Sequence, residues 1–488
     1  MSEAPARPLR RGGPTVTRRR VLQAGGLGFG AAVAGPAVMA RAPRASRAAP
    51  VRDRPNLLVI LCDQLGLDAI VAHGFRDART PNLDRLVGRG TTFLESHSTN
   101  PVCSPARSSI MTGRMPVETG VVTNGRPIHA SRPNLGQWLG PKGYEAVYCG
   151  KWHLPAGYAR QIPGFTVLPA GMGQGDLGDT VVSNSCAAWI KNRKKATPFL
   201  MVASFMQPHD ICYWGNARAN RMPAGLGLPF ERLRGRLPEL PANHTSRPKA
   251  PAKLAARVCK GFSADMWRYY LYLYARQVEM LDADVGRLLD AVDASGRAAD
   301  TIVLFTSDHG DGRGRHMHVS KWYPYDEAVK VPLVVACAGR VAQGRRDTTH
   351  LVSGLDVMPT LCDYAGVEPP KQCAGRSLRP LLEGKDVPWR KFVVSEFMRD
   401  GRMLRTPRYK YVSYRGDPVE MLFDMAADPW ETKNLYQQAR CRDVLAEHRA
   451  MLAEFQAGLH VVEPTPVRGR PRRKPKAAPS RPAGGKKA

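Results

Sequence analysis

Uninterrupted apolar runs of strand length alternate along the chain with stretches whose apolar residues recur at helical spacing. "NLLVILCDQ" and "DTIVLFTSDHG" are two such runs; the first breaks into polar residues at Asp63 and Gln64, the second at Asp308 and His309. "YEAVYCGKWHL" ends a third with Lys151 and His153, which share one face if that segment is extended, and "FLMVASFMQPHD" ends a fourth at His209. A run without a polar alternate is covered on both faces, so the pattern predicts an α/β fold with a largely parallel central sheet flanked by helices. Ligands of such sheets bind beyond the carboxyl ends of the strands. One Asp or His after a strand is commonly a turn residue or a satisfied histidine. Four polar strand ends that can converge make a site.

The pattern changes towards the C-terminus. "KFVVSEFMRDGRMLRTPRYKYVSY" is β-rich and punctuated by turns, and "RDVLAEHRAMLAEFQAGL" has apolar residues at helical spacing. Together they predict a smaller C-terminal α+β subdomain over 391–463, after a main domain over 51–390. The last stretch, 464–488, is Pro, Gly and Lys/Arg with almost nothing to bury, and is expected to be a disordered basic tail. No internal repeat is evident.

Charge and the N-terminus add an address. Of the formal +30 carried by the 488 residues, 1–50 hold a net +8 and the tail +9, leaving a moderately basic body at +13. That balance favours an anionic ligand without naming one. "TRRRVLQAGGLGFGAAVAGPAVMARA" places consecutive arginines before a short Gly/Ala-rich apolar run and small residues near Ala40 and Ala42. It resembles a twin-arginine export signal over 1–42, followed by a linker over 43–50. The expected location is therefore periplasmic or secreted. No segment reaches the length of a membrane span, so the mature form is expected to have none. The ten cysteines are scattered, without CxxC, which removes zinc-ribbon and thioredoxin-like readings. Cys362 and Cys373 are the pair near enough in sequence to be considered for a disulfide.

One cysteine stands out. In "NPVCSPARSSIMTGR", Pro105 suits the first turn of a helix, which places Cys103 just outside a helix N-terminus with Arg107 one turn on. Both features favour an anion, although a buried cysteine ahead of a capped helix is the plainer alternative. The strand-end residues tip the balance. Two aspartates, an amide oxygen and an imidazole could hold a hard divalent cation such as Ca²⁺, while Lys151, Lys321, His153 and His209 supply donors and proton-transfer groups. The inventory suggests metal-assisted attack on an anionic group.

"CSPAR" resembles the C-x-P-x-R signature of the type I sulfatases, formylglycine-dependent enzymes of the alkaline phosphatase-like superfamily. "GYEAVYCGKWHL", "PHD", "TSDHG", "KWYPYDEAVKVPLVV", "DVMPTLCDYAGV", "RYKYVSY" and "DMAADPWETKNL" resemble the family's further blocks in order, across roughly Arg54 to Leu435. The resemblance implies that Cys103 is oxidised to formylglycine by a separate formylglycine-generating enzyme. It implies metal ligation, normally of Ca²⁺, by Asp63, Gln64, Asp308, His309 and an oxygen of residue 103. Arg107 and Lys151 would hold the aldehyde hydrate, His153 would be the base of the second step, and His209 and Lys321 would bind sulfate and assist departure of the alcohol. The chain departs from the pattern at Gln64, where many members have a second aspartate, and at His309, where others have Asn. His316 and His318 fall outside the catalytic set, as loop or substrate-side residues.

The fold implied is alkaline-phosphatase-like. The activity implied is hydrolysis of sulfate esters, with sulfated carbohydrate suited to a basic exported protein and choline sulfate or a small aryl sulfate left open beside it. No specific nucleic acid is expected. Two other readings stand beside it: a phosphoester or phosphonate hydrolase of the same superfamily, and a noncatalytic polyanion-binding protein using the basic body and tail.

Overall fold

The computed structural model describes residues 53–171, 175–216, 233–397 and 399–466. All of them lie in one unit, Ala48–Ala488. The stretch 1–42 expected to be an export signal, the expected linker over 43–50 and the tail from 467 onward fall outside the described residues. Fourteen strands are present among those described: β1 (Asn56–Asp63), β2 (Gly90–Phe93), β3 (Ser96–His97), β4 (Glu145–Gly150), β5 (Thr166–Val167), β6 (Phe199–Pro208), β7 (Thr301–Ser307), β8 (Leu333–Ala336), β9 (Arg345–Asp347), β10 (Val352–Ser353), β11 (Val393–Phe397), β12 (Gly401–Arg405), β13 (Tyr409–Tyr414) and β14 (Met421–Asp424). The main sheet has eight strands in the order β5-β4-β6-β1-β7-β8-β2-β9. β5, β4, β6, β1 and β7 run parallel. β8 is antiparallel to both β7 and β2, so the sheet is mixed and mostly parallel.

Every residue of β1 is buried, as its unbroken apolar run requires. Its side chains divide between two layers. Leu58, Ile60 and Cys62 pack towards the 31-residue helix Ala264–Ala294, through Tyr270, Tyr274 and Leu281. Helix α1 is Pro81–Arg89 and helix α2 is Cys103–Thr112; Leu57, Val59 and Leu61 face Ile110 and Met111 of α2 and Leu361 of the helix Val357–Tyr364. Because β4, β6, β1 and β7 are adjacent and parallel, their carboxyl ends open on one side. Residues 151, 209, 63 and 308 are delivered there side by side.

The C-terminal segment forms an antiparallel sheet, β11-β12-β13-β14. One face packs on the helix Arg442–Ala457 through Leu404, Tyr411, Leu445 and Leu452. The other packs on Tyr323, Tyr325 and Val329 through Phe397, Met403 and Val412. Tyr323 follows two residues after Lys321, so this sheet buttresses the site. All ten cysteines are thiols; Cys362 and Cys373 share a hydrophobic cluster without being bonded. Among the described residues no helix is long and apolar enough to cross a membrane.

Candidate active site

Helix α2 (Cys103–Thr112) is buried along its whole length and ends at Gly113, whose φ of 67° suits a residue without a Cβ. Cys103 is its first helical residue, one position further in than the sequence suggested. Val102 is extended, and its carbonyl already accepts the Ala106 N–H. Pro105 therefore sits within the first turn, where it removes no intrahelical bond.

The Cys103 Sγ lies 3.2 Å from His309 Nε2, 3.2 Å from Lys321 Nζ and 3.7 Å from Asp63 Oδ1. Ligand atoms of Asp63, Cys103, Asp308 and His309 all fall within 4.8 Å of one another, and all four residues are buried. Burial and Asp63 push the thiol up, yet Lys321, Lys151 and His309 outweigh them and hold it well below its usual range.

Arg107 spans the two carboxylates. Its Nη2 reaches Asp63 Oδ2 at 3.0 Å and its Nε reaches Asp308 Oδ2 at 2.7 Å, while Nη1 donates to the Lys151 carbonyl and Ser204 Oγ. Lys151 Nζ adds a 2.6 Å contact to Asp63 Oδ2. The two cations thus occupy the outer oxygens of the carboxylates. Asp63 Oδ1 turns inward, with His309, His209 and Lys321 at 3.9 to 4.0 Å. Burial would raise Asp63, but Lys151, His209, Lys321 and Arg107 keep it well below the carboxylate range. Burial and the neighbouring Asp63 raise Asp308 to about 6. Two buried acids this close call for a cation between them. The inner oxygens, imidazole and residue 103 fit a hard divalent ion.

Gln64, with φ of 72°, is held from both ends. Its Nε2 donates to Asp311 Oδ2 at 2.6 Å, and its Oε1 accepts from Lys321 Nζ at 2.7 Å and from the Cys212 thiol at 3.2 Å. Asp311 is buried and also accepts from Tyr270 Oη and the Arg313 N–H. An aspartate at 64 would set two buried carboxylates face to face. Gln64 thus supplies Asp311 with a donor that an aspartate would lack; sequence reasoning passed over Asp311 although it stands three residues after Asp308. Tyr270, Ser204 and Cys212 carried no local signal.

His209 has its ring beside Cys103 and Asp63; burial, Lys321 and Lys151 lower it to about 4, so it is neutral near pH 7. His153 does not share a strand face with Lys151. β4 ends at Gly150, and Trp152 and His153 both donate to the Gly157 carbonyl in a turn where His153 takes φ of 60°. Its carbonyl accepts from Ser104 Oγ and its buried Nδ1 has no hydrogen-bond partner among the described residues. His316 and His318 stack on Tyr325 and Tyr323, away from the cluster just described.

An alkaline-phosphatase-like sheet that gathers carboxylates, cations and a nucleophile position at its strand ends defines a hydrolase of anionic esters. The sulfatase family profile matches residues 55–367, and the profile of the N-sulphoglucosamine sulphohydrolase C-terminal region matches 314–458. The chain belongs to the sulfatase family, and is a sulfuric ester hydrolase. It is 32% identical over 441 residues to a Delta 4,5-hexuronate-2-O-sulfatase of Bacteroides thetaiotaomicron, covering 84% of this chain and 90% of that one. A solved 2-O GAG sulfatase superposes with a TM-score of 0.73 at 30% identity, over 83% of this chain and 92% of the other. The phosphonate monoester hydrolase of Agrobacterium radiobacter, at 24% identity and a TM-score of 0.69, covering 83% and 96% of the two chains, shares the fold.

Proposed function

We propose that this enzyme removes sulfate esters from sulfated, uronate-containing carbohydrate after export, using a formylglycine made from Cys103 and one divalent cation, Ca²⁺ by donor type. The observation that carries the reading is residue 103 itself: it sits among Asp63, Asp308 and His309 with Lys321 on its other side. The Cys103 sulfur stands in for the oxygen of the oxidised residue. Asp63, Asp308 and His309 would hold the ion, joined by the Gln64 amide oxygen once Lys321 turns from it to the sulfate, and the ion supplies Lewis-acid stabilisation of negative charge. As an aldehyde hydrate, residue 103 supplies two hydroxyls, one to attack sulfur and one to expel sulfate by collapse.

The protein's own groups do the remaining work. Arg107 and Lys151 fix the outer carboxylate oxygens, so Asp63 and Asp308 keep their inner oxygens on residue 103. Lys321 is a buried cation that donates to Gln64 Oε1 and lies 4.0 Å from Asp63 Oδ1, and is placed to bind a sulfate oxygen. His209 is neutral in the free enzyme and gains proton affinity when a sulfate anion arrives beside it, which suits it to the leaving alcohol. His153 has an unpartnered nitrogen beside the first turn of α2, which suits the base of the second step. The match to a hexuronate sulfatase over most of both chains supports the substrate class. Twin-arginine export and a formylglycine-generating partner belong to the same proposal, resting on the N-terminal motif and on "CSPAR".

Peptide mass spectrometry of active protein should show the mass decrease of thiol-to-formylglycine conversion at residue 103. Sulfate release from a sulfated uronate disaccharide should vanish on chelation and return with Ca²⁺. Full turnover with an intact thiol would overturn the reading. Turnover of phosphate or phosphonate esters alone would replace it with the superfamily's other hydrolase class.

A further inference from the structure

A cleft of about 410 Å³ adjoins the entrance to α2 and has no part in the chemistry above. Its lining includes Asn100, three residues before Cys103, and Arg126, two residues after Asn124, whose Oδ1 accepts the Ser104 N–H. The C-terminal sheet closes the other side with Glu396, Arg399 and Arg402, and Glu463 lies on the lining as well. The sheet is tied to the loop before Cys103: the Glu396 N–H donates to the Thr99 carbonyl and Ser395 Oγ donates to the Ser98 carbonyl.

Two buried oxygens in this lining lack hydrogen-bond partners among the described residues. They are Asn100 Oδ1 and Glu396 Oε1, in residues that are each only 3% exposed. Arg402 Nε is also unpartnered, although its Nη2 lies 3.6 Å from Glu396 Oε1. Buried polar atoms are usually paired, and these share one cleft with three arginines, so a ligand seated there would pair them. Charge indicates which kind. Three arginines face two glutamates, and burial, with help from Glu118, raises Glu396 to about 7 against the opposing Arg402 and Val117 N–H. Near neutral pH the cleft is therefore cationic, with a carboxyl able to donate as well as accept.

We propose that this cleft is a saccharide subsite beside the sulfate-ester centre: Arg126, Arg399 and Arg402 bind a second anionic group of the substrate, a carboxylate or another sulfate, while Asn100 and Glu396 pair sugar hydroxyls. The proposal rests on the sulfatase reading for its saccharide ligand. It adds where specificity is built, and from residues almost 300 positions apart in the chain. Planar guanidinium groups suit bidentate capture of either oxyanion.

The test is direct binding to the full chain carrying Cys103→Ala, which needs no turnover, or to unmatured protein with its thiol intact if that variant folds poorly. Three disaccharides separate the sources: one with a sulfate ester and a uronate carboxylate, the same with its carboxyl reduced to an alcohol, and the reduced form carrying a second sulfate. Binding should weaken about tenfold or more on carboxyl reduction, the loss of a charge-assisted contact. Recovery with the third ligand assigns the subsite to oxyanions in general; no recovery assigns it to carboxylate. Both preferences should disappear in Arg126→Ala/Arg399→Ala. Equal binding of all three ligands, or undiminished preference in the double variant, overturns the subsite. The sulfatase reading fails separately, if matured wild-type protein releases sulfate from no ester.

Discussion

The centre around residue 103 and the arginine-lined cleft beside it hold similar charges in opposite ways. In the centre Asp63, Arg107 and Asp308 are at most 1% exposed, and each carboxylate has a cation on its outer oxygen. In the cleft the arginines reach solvent, two buried oxygens are open, and the walls come from loops and the C-terminal sheet. A reaction shared across a family needs charges that do not reorganise, so they sit on the ends of buried strands. Recognition of a particular substrate needs groups left unpaired until it binds.

The sharpest way to break the comparison is at residue 103. Cys103→Ser leaves one hydroxyl able to attack sulfur and none to collapse the ester, so steady sulfate release should fall about a thousandfold or more while sulfate remains attached to the protein. Cys103→Ala should show the same loss with no attached sulfate. Intact-protein mass after incubation with substrate reads both; parental turnover by the serine variant would exclude the two-hydroxyl route.

Arg107→Ala leaves two buried carboxylates without their shared partner. The expected loss of folding stability is about 3–5 kcal/mol, measured by urea unfolding at neutral pH. A loss under about 1 kcal/mol would mean that the centre is not held by this clamp.

The cleft should show its character as pH dependence. Between the usual carboxyl range and about 7, folded protein keeps a proton on Glu396 that the unfolded chain has released. The folded state binds more protons there, so this group's contribution to stability falls as pH rises through that window and then levels off. Glu396→Gln removes the titration. Its unfolding midpoint should gain on wild type from pH 5 to pH 8, by up to about 3 kcal/mol in free energy. A difference between the two proteins that does not change with pH would count against the buried, proton-holding carboxyl.

The smallest effect is expected far from both regions. Arg85 and Asp290 pair at 2.8 Å with side chains 31% and 63% exposed. Arg85→Ala/Asp290→Ala, set against the two single variants, should give a coupling of about 0.5 kcal/mol or less. A larger value would show that exposed pairs here carry more than solvent screening allows.

Much of the centre was legible because it is encoded locally. A strand buried on both faces cannot carry a charge in its interior, so the first polar residue after "NLLVILC" or "TIVLFTS" had to emerge at the carboxyl end, where the ligand side of such a sheet lies. The same logic, with "CSPAR", places residues 63, 103, 151, 209 and 308 together. It failed where the chain turned. Lys151 and His153 share a face only in an extended segment, and past Gly150 the chain turns onto the Gly157 carbonyl instead.

What the sequence by itself determined was the alternation of strands and helices, the polar strand ends and the place of Cys103 at the start of a helix, all set by neighbours within a few positions. Only the tertiary structure decided how those groups are paired. Arg107 became a clamp because residues 63 and 308 come to it from adjacent strands. Gln64 presents its oxygen to Lys321 because Asp311 takes its nitrogen. Asn100 and Glu396 line one cleft because β11 is pinned to the loop before α2. Pairing between charges depends on distance in space, and segments hundreds of residues apart have no periodicity that records it.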